Sequence, residues 1–391
     1  MTQPTGVALL GSTGSVGEQA LDVIRAAEGR FRVVALAAGR SAGRLAAQAR
    51  ELRPAAVGLV DETQAAALAA ELPPGCRLAV GAEAVAELAA GDDADVVLNG
   101  ITGSTGLAPT LRALEAGRRL ALANKESLIV GGELVTALAK PGQIVPVDSE
   151  HSGLAQCLRA GRPDEVARLV VTASGGPFRG RSAADLAAVT PAQALAHPTW
   201  AMGPVITVNS ATLMNKGHEV IEAHLLFGVP YDRIEVVVHP QSIVHAMVEW
   251  CDGSTVAQLS MPDMRLPIGL ALGWPERDER PVGRIDWTRA ATLEFQPVDR
   301  ATFPLLDLAV QAGRQGDTAP AALNAANEEA VDAFLAGRLP FPGIAEVVAE
   351  ISGRHRPPAV LDLEAVLAAE RWSRGLARTL VEDLTTSRGI R

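Results

Sequence analysis

The chain has 391 residues, of which 48% are hydrophobic and 20% charged, and its formal net charge is −10. This length is more than one hydrophobic core supports, so we expect two or three domains, and the composition is typical of a compact soluble protein. The negative charge disfavours nucleic acid and anionic membranes as partners, and no apolar run is long enough to cross a bilayer.

The first 148 residues alternate apolar runs typical of strands with alanine-rich runs typical of helices. This alternation predicts an α/β domain with a Rossmann-like, doubly wound parallel sheet over residues 1–148. The opening MTQPTGVALLG lacks a basic segment ahead of its first apolar run. We therefore expect no signal peptide and a cytoplasmic protein.

The segment GVALLGSTGSVGEQALDVIRA places Gly11, Gly14 and Gly17 between a predicted strand and an amphipathic helix. Glycines let the backbone approach a pyrophosphate, and a helix N-terminus favours its negative charge. The spacing GxxGxxG departs from the commoner GxGxxG, so a purely structural turn is the alternative. In this strand, turn and helix context we predict dinucleotide binding.

The next predicted strand, FRVVALAAG, ends in Gly39, Arg40 and Ser41. An NAD enzyme usually has an acidic residue at this place, which binds the ribose 2′-hydroxyl group. An arginine with a neighbouring hydroxyl group suits a 2′-phosphate instead. The sequence therefore favours NADPH, and the alternative is a solvated arginine at a strand end.

Two segments, NGITGSTG and ALANKESLIVGGE, follow later predicted strands of the same domain. They are expected at the carboxyl edge of the sheet, where ligands of such folds bind. Lys125 could reach a ligand oxygen there, while Asn124 and Glu126 could contact the nicotinamide half of the cofactor. A solvated loop is the alternative.

Only three lysines occur in the chain, Lys125, Lys140 and Lys216. An ammonium group is a compact point charge that the planar fork of arginine does not replace. Lys125 and Lys216 both lie in motifs, which favours a specific role for each. Chance in an arginine-rich sequence is the alternative.

The stretch VPVDSEHSG ends an apolar run with Asp148 and Glu150. In an extended segment, residues two apart point the same way, so both carboxylates could converge on one point. Hard oxygen ligands without histidine or cysteine spacing favour magnesium or manganese over zinc. The alternative is an acidic cap of a helix that begins near Gly153.

From Leu169 onward the runs become longer and richer in β-branched residues. They predict a central α/β domain with antiparallel strands over 149–273, including a hairpin turned by CDGS. Residues 274–299 have no clear period and suit a linker. The periodic segments of residues 300–391 predict a C-terminal helical bundle.

In VNSATLMNKGHEVIEAHLLFG, the positions Asn215, Lys216 and Glu219 share one face of a predicted helix. An amide, a cation and a carboxylate together can bind a phosphate and a metal ion. Ser210 adds a phosphate donor or a cap. A surface lysine–glutamate pair is the alternative.

Two loops complete the candidate site. In VTASGGPF a predicted strand is followed by Ser174 and two glycines. These residues form either an anion-binding nest or a tight structural turn. AHPTWAMG carries His197, Trp200 and Met202 in a stretch too rich in proline for regular structure. We interpret it as a lid over a ligand, with a tryptophan buried in the core as the alternative.

Eight motifs, in order along nearly the whole chain, carry a resemblance to a known family: GSTGSVG, ALANKESL, VDSEHSG, TASGGPFRG, HPTWAMG, NSATLMNKGHEVIEA, HPQSIVHAMV and ALNAANE. They resemble the 1-deoxy-D-xylulose 5-phosphate reductoisomerase family. The resemblance implies a homodimer whose subunits have an N-terminal NADPH domain, a central catalytic domain and a C-terminal helical bundle. It also implies a small phosphorylated substrate and a divalent cation.

The resemblance implies three groups of site residues. The ligands of one cation, Mg²⁺, Mn²⁺ or Co²⁺, would be Asp148, Glu150 and Glu219. The substrate site would share Glu150 and Glu219 and add Lys125, Ser149, Ser174, His197, Ser210, Asn215 and Lys216. The catalytic residues would be Lys125, His197 and the three carboxylates. The NADPH contacts would be Thr13, Gly14, Ser15, Val16, Gly39, Arg40, Ser41, Asn124, Glu126 and Gly203.

At four positions the chain departs from residues common in the family: Ala201, Pro204, Val205 and Asn209. None of these changes removes an implied ligand, so we expect effects on lid mobility or cofactor affinity only.

The implied reaction rearranges the carbon skeleton of 1-deoxy-D-xylulose 5-phosphate to a branched aldehyde, which NADPH reduces to 2-C-methyl-D-erythritol 4-phosphate. An NADP-dependent dehydrogenase without a metal site is one alternative. A non-catalytic NADPH sensor is another, although it leaves the cluster around Glu219 unexplained.

Overall fold

The computed structural model describes residues 3–200, 202–277, 282–289 and 291–387. Ala201 and residues 278–281 and 290 of the predicted linker lie outside this part of the chain. The described residues form two compact units. Within them, the first unit comprises Met1–Leu128, Val135–Ser152 and Asp263–Arg284. The second comprises Ile129–Leu134, Gly153–Pro262 and Ile285–Arg391. The predicted domain limits stay predictions.

Strands and helices alternate regularly up to residue 157. The strands are β1 (Thr5–Leu10), β2 (Phe31–Ala38), β3 (Ala56–Leu59), β4 (Arg77–Val80), β5 (Val96–Asn99), β6 (Arg119–Leu122), β7 (Ile144–Pro146), β8 (Val166–Ala173), β9 (Ile234–Val238), β10 (Val244–Trp250), β11 (Thr255–Leu259) and β12 (Gln296–Pro297). The helices are α1 (Ser15–Ala26), α2 (Ala42–Leu52), α3 (Ala65–Glu71), α4 (Ala82–Glu87), α5 (Leu107–Glu115), α6 (Lys125–Leu138), α7 (Ser149–Cys157), α8 (Ala183–Leu186), α9 (Pro191–Ala194), α10 (Pro204–Ala211), α11 (Met214–Phe227), α12 (Arg265–Gly273), α13 (Leu305–Gln315), α14 (Ala319–Leu335), α15 (Phe341–Arg354) and α16 (Leu363–Ser387).

The first unit is built on a seven-stranded parallel sheet in the order β4-β3-β2-β1-β5-β6-β7. Its central strands are almost continuously buried, as expected for a parallel sheet covered by helices on both faces. The strand order reverses between β1 and β5, which pair with Leu10 opposite Asn99. Ligands of such sheets bind outside the carboxyl ends of the strands at this reversal. The predicted Rossmann-like fold is confirmed.

A later segment, α12, belongs to the first unit, where Ile268 and Leu272 lie in the same hydrophobic core as β1 and α1. Arg119 caps this helix, because its guanidinium group donates to the carbonyl oxygens of Leu272 at 2.9 Å and Trp274 at 2.7 Å. Carbonyl groups at a helix C-terminus lack partners within the helix, so a cation there satisfies them.

The second unit contains a five-stranded sheet in the order β11-β10-β8-β9-β12. Strands β8 and β9 are parallel, and the other neighbours are antiparallel. The predicted CDGS turn is present, since Gly253 N–H donates to the Trp250 carbonyl oxygen at 2.9 Å between β10 and β11. The prediction of a second α/β domain with antiparallel strands is therefore confirmed.

Helices α13 to α16 form the predicted C-terminal bundle of the second unit. Phe341 on α15 packs edge-to-face against Phe334 of α14 and against Phe178, with ring centroids 5.6 Å and 5.0 Å apart. Among the described helices, none combines the length and apolar character that a membrane crossing requires.

Candidate active site

The glycine-rich turn lies between β1 and α1, in the predicted strand, turn and helix context. Gly11 has a φ of +81°, and a Cβ atom there would lie 2.5 Å from the carbonyl oxygen of Gly100. At Gly17 a Cβ atom would lie 2.3 Å from the Gly11 carbonyl oxygen. These two glycines are therefore required by close backbone packing. Gly14 is instead exposed at the N-cap of α1.

Most of the candidate cofactor residues lie just beyond the ends of two neighbouring strands. Thr13, Ser15 and Val16 surround the start of α1, beyond the end of β1. Arg40 is exposed just beyond β2, which pairs directly with β1. The structure thus brings the two groups to one edge of the sheet, with Gly39 and Ser41 on either side of Arg40.

Lys125 and Asp148 form a buried ion pair at the same edge, beyond the ends of β6 and β7. Lys125 is 4% exposed, and its Nζ lies 2.6 Å from Asp148 Oδ2. His151 Nδ1 lies 3.3 Å from Asp148 Oδ1. Burial alone would raise the pKa of Asp148, but the Lys125 ammonium group and His151 outweigh it and hold that pKa well below its ordinary value. Asp148 is therefore an anion.

The segment after Asp148 is helical, so the interpretation of Asp148 and Glu150 as alternate residues of an extended segment is wrong. Helix α7 begins at Ser149, and the Glu150 N–H donates to Asp148 Oδ1 at 3.3 Å. Asp148 thus caps a helix, as the alternative proposed, although α7 begins at Ser149, four residues before Gly153. The Ser149 hydroxyl group donates to the Glu150 carboxylate.

The second unit carries the other charged cluster, on α11. Asn215 Nδ2 donates to Glu219 Oε1 at 2.6 Å, and the Lys216 ammonium group pairs with the same carboxylate. The predicted common face is confirmed. Lys216 is 5% exposed and Glu219 is 1% exposed, so the alternative of a surface pair is wrong.

His197 connects two hydroxyl groups of the second unit with the irregular loop that follows it. Its Nε2 lies 3.1 Å from both Ser174 Oγ and Ser210 Oγ. Its Nδ1 accepts the N–H groups of Thr199 at 3.1 Å and Trp200 at 2.9 Å. Because Nδ1 accepts both, the ring proton sits on Nε2. Burial lowers the pKa of His197, which favours this neutral form.

The Ser174 turn has two consecutive glycines with positive φ, Gly175 at +84° and Gly176 at +66°. The Gly176 N–H donates to Ser174 Oγ at 3.2 Å. Trp200, in the irregular loop, lies against His245 with ring centroids 6.4 Å apart. Gly203 caps α10, and the described residues of the loop have no regular structure, as expected.

Some residues of these clusters were missed by sequence reasoning. His151 is completely buried against Asp148. The sequence indicated this contact only through the three-residue spacing on a helix, and we placed the start of that helix too late. Asn124 was predicted as a cofactor contact, but its capping role was not: Asn124 is 2% exposed and caps α6 through its Oδ1, which accepts the Ser127 N–H at 3.0 Å. His245, beside Trp200, lies in the motif HPQSIVHAMV, but sequence reasoning gave this residue no role.

The donor set suits a hard divalent cation. Asp148 is partly buried and Glu219 is buried, and each carboxylate pairs with a lysine of its own unit. Carboxylate oxygens are the ligands that Mg²⁺ and Mn²⁺ prefer. The serine, amide, ammonium and imidazole groups around Lys216 and His197 are donors of the kind that bind a phosphate group.

Three family matches cover most of the chain. Residues 7–132 match 1-deoxy-D-xylulose 5-phosphate reductoisomerase. Residues 144–227 match the 1-deoxy-D-xylulose 5-phosphate reductoisomerase C-terminal domain, and residues 259–376 match the DXP reductoisomerase C-terminal domain.

Two curated relatives carry the same name along their full length. The 1-deoxy-D-xylulose 5-phosphate reductoisomerase of Kitasatospora griseola is 60% identical over 384 residues, 95% of this chain and 99% of the relative. That of Streptomyces avermitilis is 58% identical over 390 residues, 97% of this chain and 99% of the relative.

Solved structures agree in fold. The Zymomonas mobilis enzyme in complex with NADPH has a TM-score of 0.91 and 41% identity, covering 98% of this chain and 100% of the other. A DOX-P reductoisomerase in complex with NADPH, fosmidomycin and magnesium has a TM-score of 0.90 and 37% identity, covering 97% and 98%. These findings confirm the resemblance, and the chain belongs to the 1-deoxy-D-xylulose 5-phosphate reductoisomerase family.

Proposed function

We propose that this protein converts 1-deoxy-D-xylulose 5-phosphate to 2-C-methyl-D-erythritol 4-phosphate, with NADPH as reductant and a divalent cation as cofactor. The observation that carries the proposal is family membership, with 60% identity to a relative of that name over 95% of this chain. A solved relative that holds both NADPH and magnesium supports the two cofactors.

NADPH is proposed to bind at the carboxyl edge of the parallel sheet. The pyrophosphate would lie at the N-terminus of α1, against Thr13, Gly14, Ser15 and Val16. Arg40 would bind the 2′-phosphate, with Gly39 and Ser41 beside it. Asn124, Glu126 and Gly203 are the remaining proposed contacts, of which Asn124 already uses its amide group on Gly103 and Glu126.

Asp148, Glu150 and Glu219 are proposed as the ligands of the cation, because their buried or partly buried carboxylates form a hard oxygen donor set. A bound cation would supply Lewis-acid polarisation of substrate oxygens. Magnesium is the ion in the solved relative, and manganese and cobalt stay predictions.

The phosphate group of the substrate is proposed to contact Ser174, Ser210, Asn215 and Lys216. His197 would present its Nε2–H to the same group, while its Nδ1 holds the N–H groups of the loop. Binding energy from a phosphate remote from the reacting carbons positions those carbons. Closure of the loop over the ligand would keep water away from the branched aldehyde.

Lys125 and Ser149 are proposed to act beside the reacting carbons. The Lys125 ammonium group can stabilise negative charge on a substrate oxygen as the carbon–carbon bond breaks. It also keeps Asp148 ionised. Hydride from NADPH and one proton then convert the aldehyde to the alcohol.

The direct test is NADPH oxidation with 1-deoxy-D-xylulose 5-phosphate, with and without Mg²⁺. Metal-dependent oxidation that yields 2-C-methyl-D-erythritol 4-phosphate is the expected result. Metal-independent turnover would favour an ordinary dehydrogenase, and NADPH binding without turnover under any metal would favour a sensor.

A homodimer is also proposed. Strand β11 is an end strand of the described sheet, and an unpaired strand edge is a template for pairing with another chain. Residues Leu293 and Phe295 near the other edge are 39% and 46% exposed. Light scattering should give twice the monomer mass. If the edge of β11 pairs with another chain, Ala257→Lys on β11 should lower that mass. A monomeric wild type would contradict the dimer.

Cytoplasmic location stays a prediction.

A further inference from the structure

A chain of polar side chains is buried behind Lys125, at the carboxyl edge of the first unit's sheet. Asn99 ends β5, Thr110 lies on α5, and Asn124 and Ser127 form the start of α6. Asn99, Thr110 and Ser127 are 0% exposed, and Asn124 is 2% exposed. Burying polar groups costs free energy unless each is hydrogen-bonded.

The hydrogen bonds of this chain all run in one direction. Asn99 Nδ2 donates to the Gly106 carbonyl oxygen at 2.9 Å and to Thr110 Oγ1 at 3.0 Å. Ser127 Oγ donates to the Asn124 carbonyl oxygen at 3.0 Å. Since Ser127 has a single hydroxyl hydrogen, Thr110 is the donor in the 3.0 Å bond between Thr110 and Ser127. Bonds aligned in this way polarise one another.

This series of hydrogen bonds ends at the peptide group that joins Asn124 to Lys125. The Asn124 side chain holds the same turn, because its Oδ1 accepts the Ser127 N–H at 3.0 Å and its Nδ2 donates to the Gly103 carbonyl oxygen at 2.9 Å. The backbone of Lys125 is therefore held by side chains from β5 and α5. Its ammonium group lies 2.6 Å from Asp148 Oδ2.

We propose that Thr110 and Ser127 are positioning residues, whose hydroxyl groups fix the backbone of Lys125 so that its ammonium group meets both Asp148 and the substrate. The inference rests on the proposed function. An apolar pair of similar size would fill the same space, but one hydrogen of Asn99 Nδ2 would lose its acceptor and the Asn124 carbonyl oxygen would lose the Ser127 hydroxyl group. A displacement of about 1 Å in a catalytic group costs up to about 100-fold in rate.

The test compares kcat, KM and NADPH affinity of the full-length protein with Thr110→Val, Thr110→Ser and Ser127→Ala. We expect Thr110→Val and Ser127→Ala to lower kcat about 10- to 100-fold, with NADPH affinity within about twofold of the wild type. Thr110→Ser keeps the hydroxyl group and should restore kcat. A wild-type kcat in either Thr110→Val or Ser127→Ala, or no rescue by serine, would overturn the proposal.

Gln143→Leu is the matched control for a purely structural effect. Gln143 is 8% exposed, and its side chain makes hydrogen bonds to Leu114, Arg118 and Lys140 just before β7, at the opposite edge of the same sheet. This variant should lower the melting temperature but keep kcat. A loss of kcat as large as that of Thr110→Val would show that removing any buried polar side chain lowers kcat, and it would overturn the proposal.

The double variant Thr110→Val/Ser127→Ala tests whether the hydroxyl groups act as one unit. Its kcat should equal that of the slower single variant, because either change breaks the same chain. If the two single losses in kcat multiply in the double variant, the hydroxyl groups do not act as one hydrogen-bonded unit, and that part of the proposal is overturned. An inactive wild type would instead refute the proposed function, whereas an active wild type with unaffected variants refutes only the positioning role.

Discussion

Lys125 and Lys216 are both buried, and each contacts one carboxylate, but the two pairs are built differently. Lys216 and Glu219 lie three residues apart on α11, so the helix alone brings them together. Lys125 and Asp148 follow β6 and β7, and they meet because these strands are neighbours in the sheet. The second kind of pair depends on tertiary structure and therefore on the groups that support it.

The largest expected effect comes from breaking the helical pair. Glu219→Gln keeps the shape of the side chain but removes its charge, so we expect turnover to fall about 100- to 1,000-fold, as when one electrostatic partner of a transition state is lost. NADPH affinity, measured by fluorescence titration, should stay unchanged because the proposed cofactor residues other than Gly203 lie in the first unit. An equal loss of turnover and affinity would contradict a metal role.

Removing each lysine compares the stability of the two pairs. Lys125→Met or Lys216→Met removes the lysine from a buried or partly buried carboxylate, which should cost up to about 3–5 kcal/mol in the free energy of unfolding by urea in EDTA. Lys140→Met is the control, because Lys140 is exposed and its loss should cost less than about 0.5 kcal/mol. In Lys216→Met/Glu219→Leu an apolar pair should recover most of the loss; equal stability of all variants would contradict the burial argument.

The loop after His197 is held by hydrogen bonds to His197 Nδ1, which are weaker than either lysine–carboxylate ion pair. His197→Phe removes two acceptor bonds of about 1 kcal/mol each, so KM for the substrate should rise about 10- to 30-fold. Protonation of Nδ1 breaks the same bonds. Because burial lowers the pKa of His197 below its ordinary value of about 6.5, kcat/KM should fall only below that pH.

The same histidine also affects folding stability at acid pH. Its pKa is lower in the folded protein, so between the folded value and about 6.5 the unfolded chain binds more protons, and the contribution to stability is lost as pH falls through this window. Unfolding of His197→Phe should show less of this loss than the wild type. An identical pH dependence of kcat/KM and stability in both proteins would contradict the neutral, Nε2-protonated form.

The smallest effect is expected at an exposed cation. Arg40→Ala should raise KM for NADPH about tenfold and leave KM for NADH unchanged, since solvent weakens a charge contact at this site. Arg50→Ala is a suitable control, because Arg50 is also exposed and pairs with Glu71 at 2.7 Å. Equal changes for the two nucleotides would place the 2′-phosphate elsewhere.

Local patterns predicted much of this molecule. The alternation of strands and helices, the CDGS hairpin and the spacing of Asn215, Lys216 and Glu219 depend on short-range geometry, and the structure confirms each. The start of α7 was misplaced, because a capping aspartate at the end of a strand looks the same in sequence as an extended ligand.

What could not be predicted depends on contacts between distant parts of the sequence. The packing of α12 into the first unit places Arg119 at its C-terminus, although the two lie far apart in the chain. Likewise, Thr110 had no motif around it, and only the fold brings it to Ser127. Buried polar networks between separate elements leave no periodic signal in a single sequence.

The central claim is that Asp148, Glu150 and Glu219 bind one cation, and Mn²⁺ binding followed by electron paramagnetic resonance tests it without turnover. We expect one ion per chain in the wild type, and affinity at least about tenfold weaker in Asp148→Asn, Glu150→Gln and Glu219→Gln. Lys140→Met should bind as the wild type does. Unchanged Mn²⁺ affinity in Asp148→Asn and Glu219→Gln would contradict the shared site.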